Sequence, residues 1–467
     1  MGGSTAVARR SALAPLAVAA VLLSCTIVLL LGYLLKARCV GPQFDASGAS
    51  MPNWGLRASR DLCYSELQQA WFSRGFGTHQ FPYVHGALVD GQLVGGAVEY
   101  PVLTGLALWL AALPAHNDGQ MLLWAALLLA ATALAGAALL HRMAPRRAWV
   151  WYASTGLLFS AFLQTDVLPV VATIAAFFVI GVGRPWIVMS LPRVLGAAAW
   201  LGVGGALKLY PLLFVLPLAI WAVTDRRLGA ESTLGGRWRR GAAVVGVPAA
   251  VLLLTNLPFM LINFNGWWAS FEFQWQRPID MTTDSIWFWA DRPQSNAGNT
   301  AVQHTLMQIS TTATAVALIV ALVAGFVLSR RLGSYPWLQV SAAMLAGYLL
   351  LNKVNSPQYV LWLLPFFVLL RIHWGWIVGY LVADVCLQVG FLRWNYLLIA
   401  RRPANVWDSV WTQQVMIGVW GRAALLVCLF VVFLGSLAVP SAANGSGSGS
   451  SEAGSRPTSS GRQPILR

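Results

Sequence analysis

Charge is what this sequence has least of. Asp, Glu, Lys and Arg make up 10% of its 467 residues, where a soluble domain carries about 25%. Hydrophobic residues reach 57% and the mean hydropathy is +0.64, which excludes an ordinary soluble fold. Acids are scarcer than bases, 16 against 31, for a net charge of +15. The bases form no patch: they fall between hydrophobic runs, and no DNA- or RNA-binding motif is present. They are read as topology signals and contacts with membrane lipids of negative charge, with no nucleic-acid partner expected. No G-x-G-x-x-G fingerprint follows a strand, and His79, His85 and His304 lack metal-ligand spacing. No cofactor is therefore expected; divalent-metal dependence stays open.

The hydrophobic runs themselves are plentiful. Leu13–Leu35, Met121–Leu140, Trp149–Leu163, Val167–Val182, Leu195–Leu207 and Leu212–Val223 fill the first half. Val244–Ile262, Thr305–Leu328, Trp337–Leu351, Val360–Leu370, Trp376–Phe391 and Val415–Val439 follow. Read as spans, they predict an all-α polytopic membrane protein with about twelve transmembrane helices. The first run is too long for a signal-peptide core, and Lys36-Ala37-Arg38-Cys39 makes a poor cleavage site, so it is read as an uncleaved first helix.

An even count puts both termini on one side. The arginines at 142, 146 and 147, at 184 and 193, from 226 to 240, at 330 and 331, and at 371 then all fall on the cytoplasmic face, as the positive-inside rule requires. Residues 1–12 become a cytoplasmic N-terminus, 13–439 the transmembrane domain, and 440–467, rich in Gly, Ser and Pro, a disordered cytoplasmic tail. Counting Glu99–Ala115 as a full span would invert every later basic loop, so it is read as a short helix dipping into the outer leaflet.

Two long loops, 36–98 and 263–300, then face outward. The first is expected to carry amphipathic helices, one of them from Ser65 to Trp71. The second is rich in tryptophan (Trp267, Trp268, Trp275, Trp287, Trp289), which fits an interfacial belt. Of only five cysteines, Cys25, Cys386 and Cys428 sit in apolar runs as small hydrophobes. Cys39 and Cys63 share the outward loop, where a disulfide persists, and are expected to pair.

Polar residues that hydrocarbon would reject mark function. Here Asp61, Glu66, Glu99, Asp166, Lys208 and Lys353 all map to the outer side, which points to an outward-facing site rather than a path through the membrane. An acid there can serve as a general base toward a hydroxyl; exposed carboxylates also occur without any role. Lys208 and Lys353 can neutralise a phosphate, or simply snorkel to the interface.

Several short motifs occur in order along the chain. They are Asp61-Leu62 with Tyr64, Ala70 and Gly75 before Phe81-Pro82-Tyr83; Glu99-Tyr100-Pro101 through Gly105; Lys208-Leu209-Tyr210-Pro211; and Lys353-Val354-Asn355-Ser356-Pro357-Gln358-Tyr359, followed by Trp362-Leu363-Leu364-Pro365. As an ordered set they resemble glycosyltransferase family 87. Its members are GT-C membrane enzymes, mainly actinobacterial mannosyltransferases of the cell (plasma) membrane that use a polyprenyl-phosphate sugar. The resemblance implies a GT-C-type fold and transfer of a sugar, mannose first among candidates, from a polyprenyl-phosphate donor to a lipid-linked or cell-envelope glycan acceptor. It implies inversion and a base in the first outward loop, usually Asp. Asp61 fits the Asp-Leu pattern; Glu66 fits a Tyr-Ser-Asp variant with Glu in place of Asp, and is preferred.

By the same resemblance, Lys353 and Lys208 are expected at the donor phosphate. Glu99, Tyr100, Asp166, Tyr210, Asn355, Ser356, Gln358 and Tyr359 are expected to line the substrate site. Relatives often show Asn-x-Asp where this chain has Gln164-Thr165-Asp166. Three other readings stay open: an arabinofuranosyltransferase, a lipid or oligosaccharide transporter, and a non-catalytic subunit of an envelope-assembly complex.

Overall fold

The computed structural model describes residues 3–228, 233–290 and 300–439. The tail from 440, and positions 291–299 of the second long loop, lie outside them.

Among the described residues, six helices are long and apolar enough to cross a bilayer: Leu16–Ala37, Asp118–Met143, Leu234–Ile262, Thr300–Leu332, Trp374–Ile399 and Val410–Gly435. Six shorter apolar helices accompany them. The result is an all-α, multi-pass membrane protein in which sheet is limited to two small hairpins of the first loop. The two sets differ in what surrounds them. Every residue from Val360 to Leu369 is buried, so this helix, apolar on all sides, is a core element. Leu234–Ile262 and Thr300–Leu332 instead turn out Leu253, Leu254 and Leu261, and Val316, Ile319 and Val323, as expected of rim helices that face lipid.

Close helix packing is set by glycine. Gly418, in Val410–Gly435, lies so near Trp374–Ile399 that a Cβ would come within 2.4 Å of the Leu387 backbone nitrogen. Gly390 returns the contact, its Cβ position being 2.8 Å from the nitrogen of Val415. Two glycines facing opposite backbones let the hairpin close tightly, as small residues do between membrane helices.

Two sequence expectations change. The run Trp149–Leu163 is two short helices, Trp149–Tyr152 and Thr155–Ser160. The chain breaks at Ser154, whose hydroxyl accepts from the Leu157 amide at 3.1 Å and starts the second helix, an N-cap that outweighs apolar continuity. The tryptophans of the second loop also divide. Trp267 and Trp268 cluster with Phe264 and Phe271 on the helix Phe264–Gln276. Trp287 instead donates to the Leu351 carbonyl at 2.8 Å and is half-buried, and Trp289 is buried against Trp394, so both pack on the protein rather than form a belt.

The helix Asp118–Met143 has chemically opposite ends. At its start, the Asp118 carboxylate accepts from the Ser50 amide (3.1 Å) and hydroxyl (2.7 Å) of the first loop. Just beyond its other end, Arg147 donates to the Ile372 carbonyl at 3.1 Å and lies over Trp374. The first loop and this arginine thus occupy opposite ends of the bundle. The loop contains the helices Trp54–Arg60 and Glu66–Ser73 and is closed by a Cys39–Cys63 disulfide. The helix Val102–Ala112 has 11 residues, about 16 Å, half the thickness of a ~30 Å hydrocarbon core.

Candidate active site

The loop end of the bundle opens into a cavity of about 1650 Å³. Its floor is built around Glu66. Ser65 precedes the helix Glu66–Ser73 in extended conformation and donates its hydroxyl to the Phe162 carbonyl at 2.7 Å, while the Glu66 amide donates to Leu163 at 2.8 Å. These two bonds fasten the helix start to the strip that precedes Gln164. The carboxylate therefore meets partners from distant segments: Tyr100 Oη donates to Glu66 Oε2 at 2.8 Å, and Gln164 Nε2 donates to the same oxygen.

The network continues inward. Lys208 donates to Gln164 Oε1 at 2.7 Å and to both oxygens of Asp166, at 2.8 and 3.0 Å. Trp362 Nε1 donates to Asp166 Oδ1 at 2.6 Å. Asp166 is fully buried, and pairing with an ammonium is what permits a buried carboxylate. The ammonium lies over the rings of Tyr359 and Trp362 at 5.0 and 5.3 Å. Tyr210 and Tyr359 each stack on Trp362, at 4.0 and 3.9 Å between centroids, and so fix the indole that orients Asp166.

The Glu66 carboxyl is raised above the ordinary carboxylate range. Withdrawal from bulk solvent is the main cause and the nearby Glu99 adds to it; the Gln164 and Tyr100 bonds and the Lys208 charge act the other way. Glu99 is itself closely paired with Arg74, and its carbonyl accepts from Gln274 at 3.2 Å.

A second polar group lines the same cavity. Lys353 donates to the carbonyls of Trp275 (3.0 Å) and Arg277 (2.9 Å). Burial, then the neighbouring Arg277, pulls its ammonium down to about 8. The Arg277 guanidinium donates to the Thr282 carbonyl and hydroxyl at 3.2 and 2.8 Å. Beside them the Asp284 carboxyl is pushed up to about 8, chiefly by burial. Asn355 and Ser356 are held from behind by Arg422, which donates to Asn355 Oδ1 at 2.7 Å and reaches the Ser356 carbonyl at 3.5 Å. Gln358 is buried along the same wall.

Sequence reasoning named most of these residues but not their grouping. Glu66, Glu99, Tyr100, Lys208, Tyr210, Lys353, Ser356, Gln358 and Tyr359 share the cavity; Asp166 and Asn355 stand just behind its wall. Asp61 is outside it, paired with Arg60 at 2.9 Å in solvent, and that hydrogen bond holds its carboxyl below the usual range. Of the histidines, His304 borders the cavity and His79 bonds the Ala112 carbonyl. Among the described residues, no three His, Cys, Asp or Glu side chains gather as metal ligands. Gln164, Arg277, Asp284 and Arg422 went unrecognised. Gln164 is uncharged and stands out only by its nearness to Asp166, and Arg422 hides in an apolar run.

No protein-family model matches the chain, and no curated protein matches it. Among solved structures, the crystal structure of ArnT from Cupriavidus metallidurans bound to undecaprenyl phosphate aligns with a TM-score of 0.41 at 14% identity, over 88% of this chain and 76% of that one. A likeness so distant carries no argument about the present chain.

Proposed function

We propose that this chain is a membrane glycosyltransferase that moves a sugar, mannose before other candidates, from a polyprenyl-phosphate donor to a lipid-linked or cell-envelope glycan. The reading puts it in the plasma membrane with the cavity facing away from the cytoplasm. The observation that carries it is Glu66: a carboxylate of raised basicity, held by Tyr100 and Gln164, in a cavity that Lys353 and Arg277 also line. A base and two cations in one cavity suit a sugar phosphate, since the one can take the acceptor's proton while the others offset the charge of the leaving group.

In this mechanism Glu66 takes the proton of the acceptor hydroxyl. The hydroxyl oxygen bonds to the anomeric carbon as the bond from that carbon to the phosphate oxygen breaks, and the configuration inverts. The electron pair leaves on the phosphate, whose growing charge Lys353 and Arg277 offset. Lys208 is already engaged by Gln164 and Asp166, so its part is to hold Gln164 against Glu66. Asn355 and Ser356, fixed by Arg422, and the rings of Tyr100 and Tyr359 shape the space for the sugar.

The test is transfer from radiolabelled polyprenyl-phosphate mannose, and separately from its arabinofuranose counterpart, to extracted membrane lipids by purified protein. Glu66→Gln should lower the rate by about a hundredfold or more, the scale of a lost general base, while Asp61→Asn should stay near wild type. Equal activity in both variants would remove the base assignment. Absence of transfer from any such donor would favour a transporter or an assembly subunit.

A further inference from the structure

Lys36 is a buried cation that this mechanism does not use. It stands near the end of the first helix on the face that carries Val21, Cys25 and Leu29 into the protein, with Gly32 against the Leu158 carbonyl. Leu23, Ile27, Leu30 and Leu34 turn the opposite way. A lysine at a helix end ordinarily snorkels outward to water. Lys36 continues the inward stripe instead, is 2% exposed, and lines the cavity. Among the described residues its ammonium has neither a hydrogen bond nor an ion pair. An ammonium so placed stays charged only with a partner, and the cavity it lines is where one can bind.

Its surroundings separate it from the Lys353 wall. Helix Trp54–Arg60 ties this corner to the helix Trp374–Ile399, where Asn395 donates to Ser59 at 2.9 Å. Gln388 and Asn395 of that helix line the cavity with Tyr64; Asp384, which accepts from Gln388 at 3.2 Å, is paired with Arg422 rather than with this ammonium. Lys353 belongs to another part of the wall, bonded to Trp275 and Arg277. The whole space, about 1650 Å³, exceeds the roughly 300–1,000 Å³ of a site for one small ligand.

We propose that Lys36 binds an anionic group, a phosphate or phosphodiester, on the second substrate, so that the acceptor is an anionic lipid seated apart from the donor phosphate. Naming that ligand the acceptor rests on the glycosyltransferase reading; the presence of an anion site there does not.

The full-length chain in detergent, as wild type, Lys36→Met, Lys36→Arg and Lys353→Met, is titrated with dihexanoyl phosphatidylglycerol, farnesyl monophosphate and the phosphate-free dioctanoylglycerol, and bound ligand is read by native mass spectrometry. Lys36→Met should weaken phosphatidylglycerol about tenfold, the loss of one charge-assisted bond, and leave farnesyl monophosphate unchanged. Lys353→Met should do the reverse, Lys36→Arg should retain phosphatidylglycerol, and dioctanoylglycerol should not compete. In the wild type, phosphatidylglycerol should shield Lys36 from acetic anhydride, a readout that no folding defect in a variant can disturb. Farnesyl monophosphate lost with Lys36→Met while phosphatidylglycerol stays would put the donor at Lys36 and overturn the proposal. Equal acetylation with and without phosphatidylglycerol would overturn it as well. Failure of sugar transfer in the radiolabel assay would refute the acceptor identity alone, and the binding data decide the anion site.

Discussion

At the scale of single residues, the proposed chemistry depends on which carboxylate is withdrawn from water. Asp61 and Glu66 share one short loop, and nothing in their local sequence ranks them decisively. The difference is tertiary: Leu62 takes φ 60°, and the helix start behind it is bonded to Phe162 and Leu163, so Glu66 enters the cavity while Asp61 stays with Arg60. The titration directions then give a pH profile. On the proposed mechanism Glu66 must be deprotonated to act, and its carboxyl is raised, so kcat/KM should fall, as pH falls, already above the ordinary carboxylate range. Lys353 must stay charged, and its ammonium is lost as pH rises through about 8. A bell is expected, and Lys353→Arg should move its alkaline limb upward; an unmoved limb would separate Lys353 from the phosphate. Asp166→Ala strands the Lys208 ammonium, so it should cost about 3–5 kcal/mol of stability in urea titrations and slow transfer, whereas Asp166→Glu should restore part of both.

At the scale of elements, apolar runs made the long helices legible, because a bilayer allows few alternatives to a helix of about twenty apolar residues. What the runs could not show was where a polar side chain interrupts them from within, as Ser154 does, or which tryptophans turn inward, since Trp287 finds its partner carbonyl at Leu351, 64 positions away. Two predictions belong here. Gly418→Leu drives a side chain into the Leu387 backbone, so it should destabilise the helix pair by at least the ~1–3 kcal/mol of overpacking, seen as a lower melting temperature in detergent. Cys39→Ser opens a loop whose ends are 24 residues apart and should cost about 2–4 kcal/mol. Glu66 follows Cys63 closely, so that loss should also appear as a lower kcat.

At the scale of the molecule, the sequence placed its carboxylates and lysines at one end and its arginines at the other; the cavity gathers Glu66, Glu99, Lys208 and Lys353, with Asp166 behind its wall and Asp61 outside, while Arg147 packs at the far end. Its walls were not legible, because floor and roof are drawn from segments joined only by the fold. Sidedness is open to measurement. In a chain without Cys25, Cys386 and Cys428, a cysteine at Gln92 on the cavity rim should react with a membrane-impermeant maleimide added outside intact cells, and one at Arg146 should not. The reverse pattern would invert the proposed orientation. The wiring of Glu66 has a further consequence, for biosynthesis. Tyr100 and Gln164 follow Glu66 by 34 and 98 residues, and Lys208 comes later still, so a nascent or truncated chain carries the carboxylate without the groups that tune it. On the proposed function, competence arrives only when distant spans have inserted and met, and a misassembled copy would be inactive.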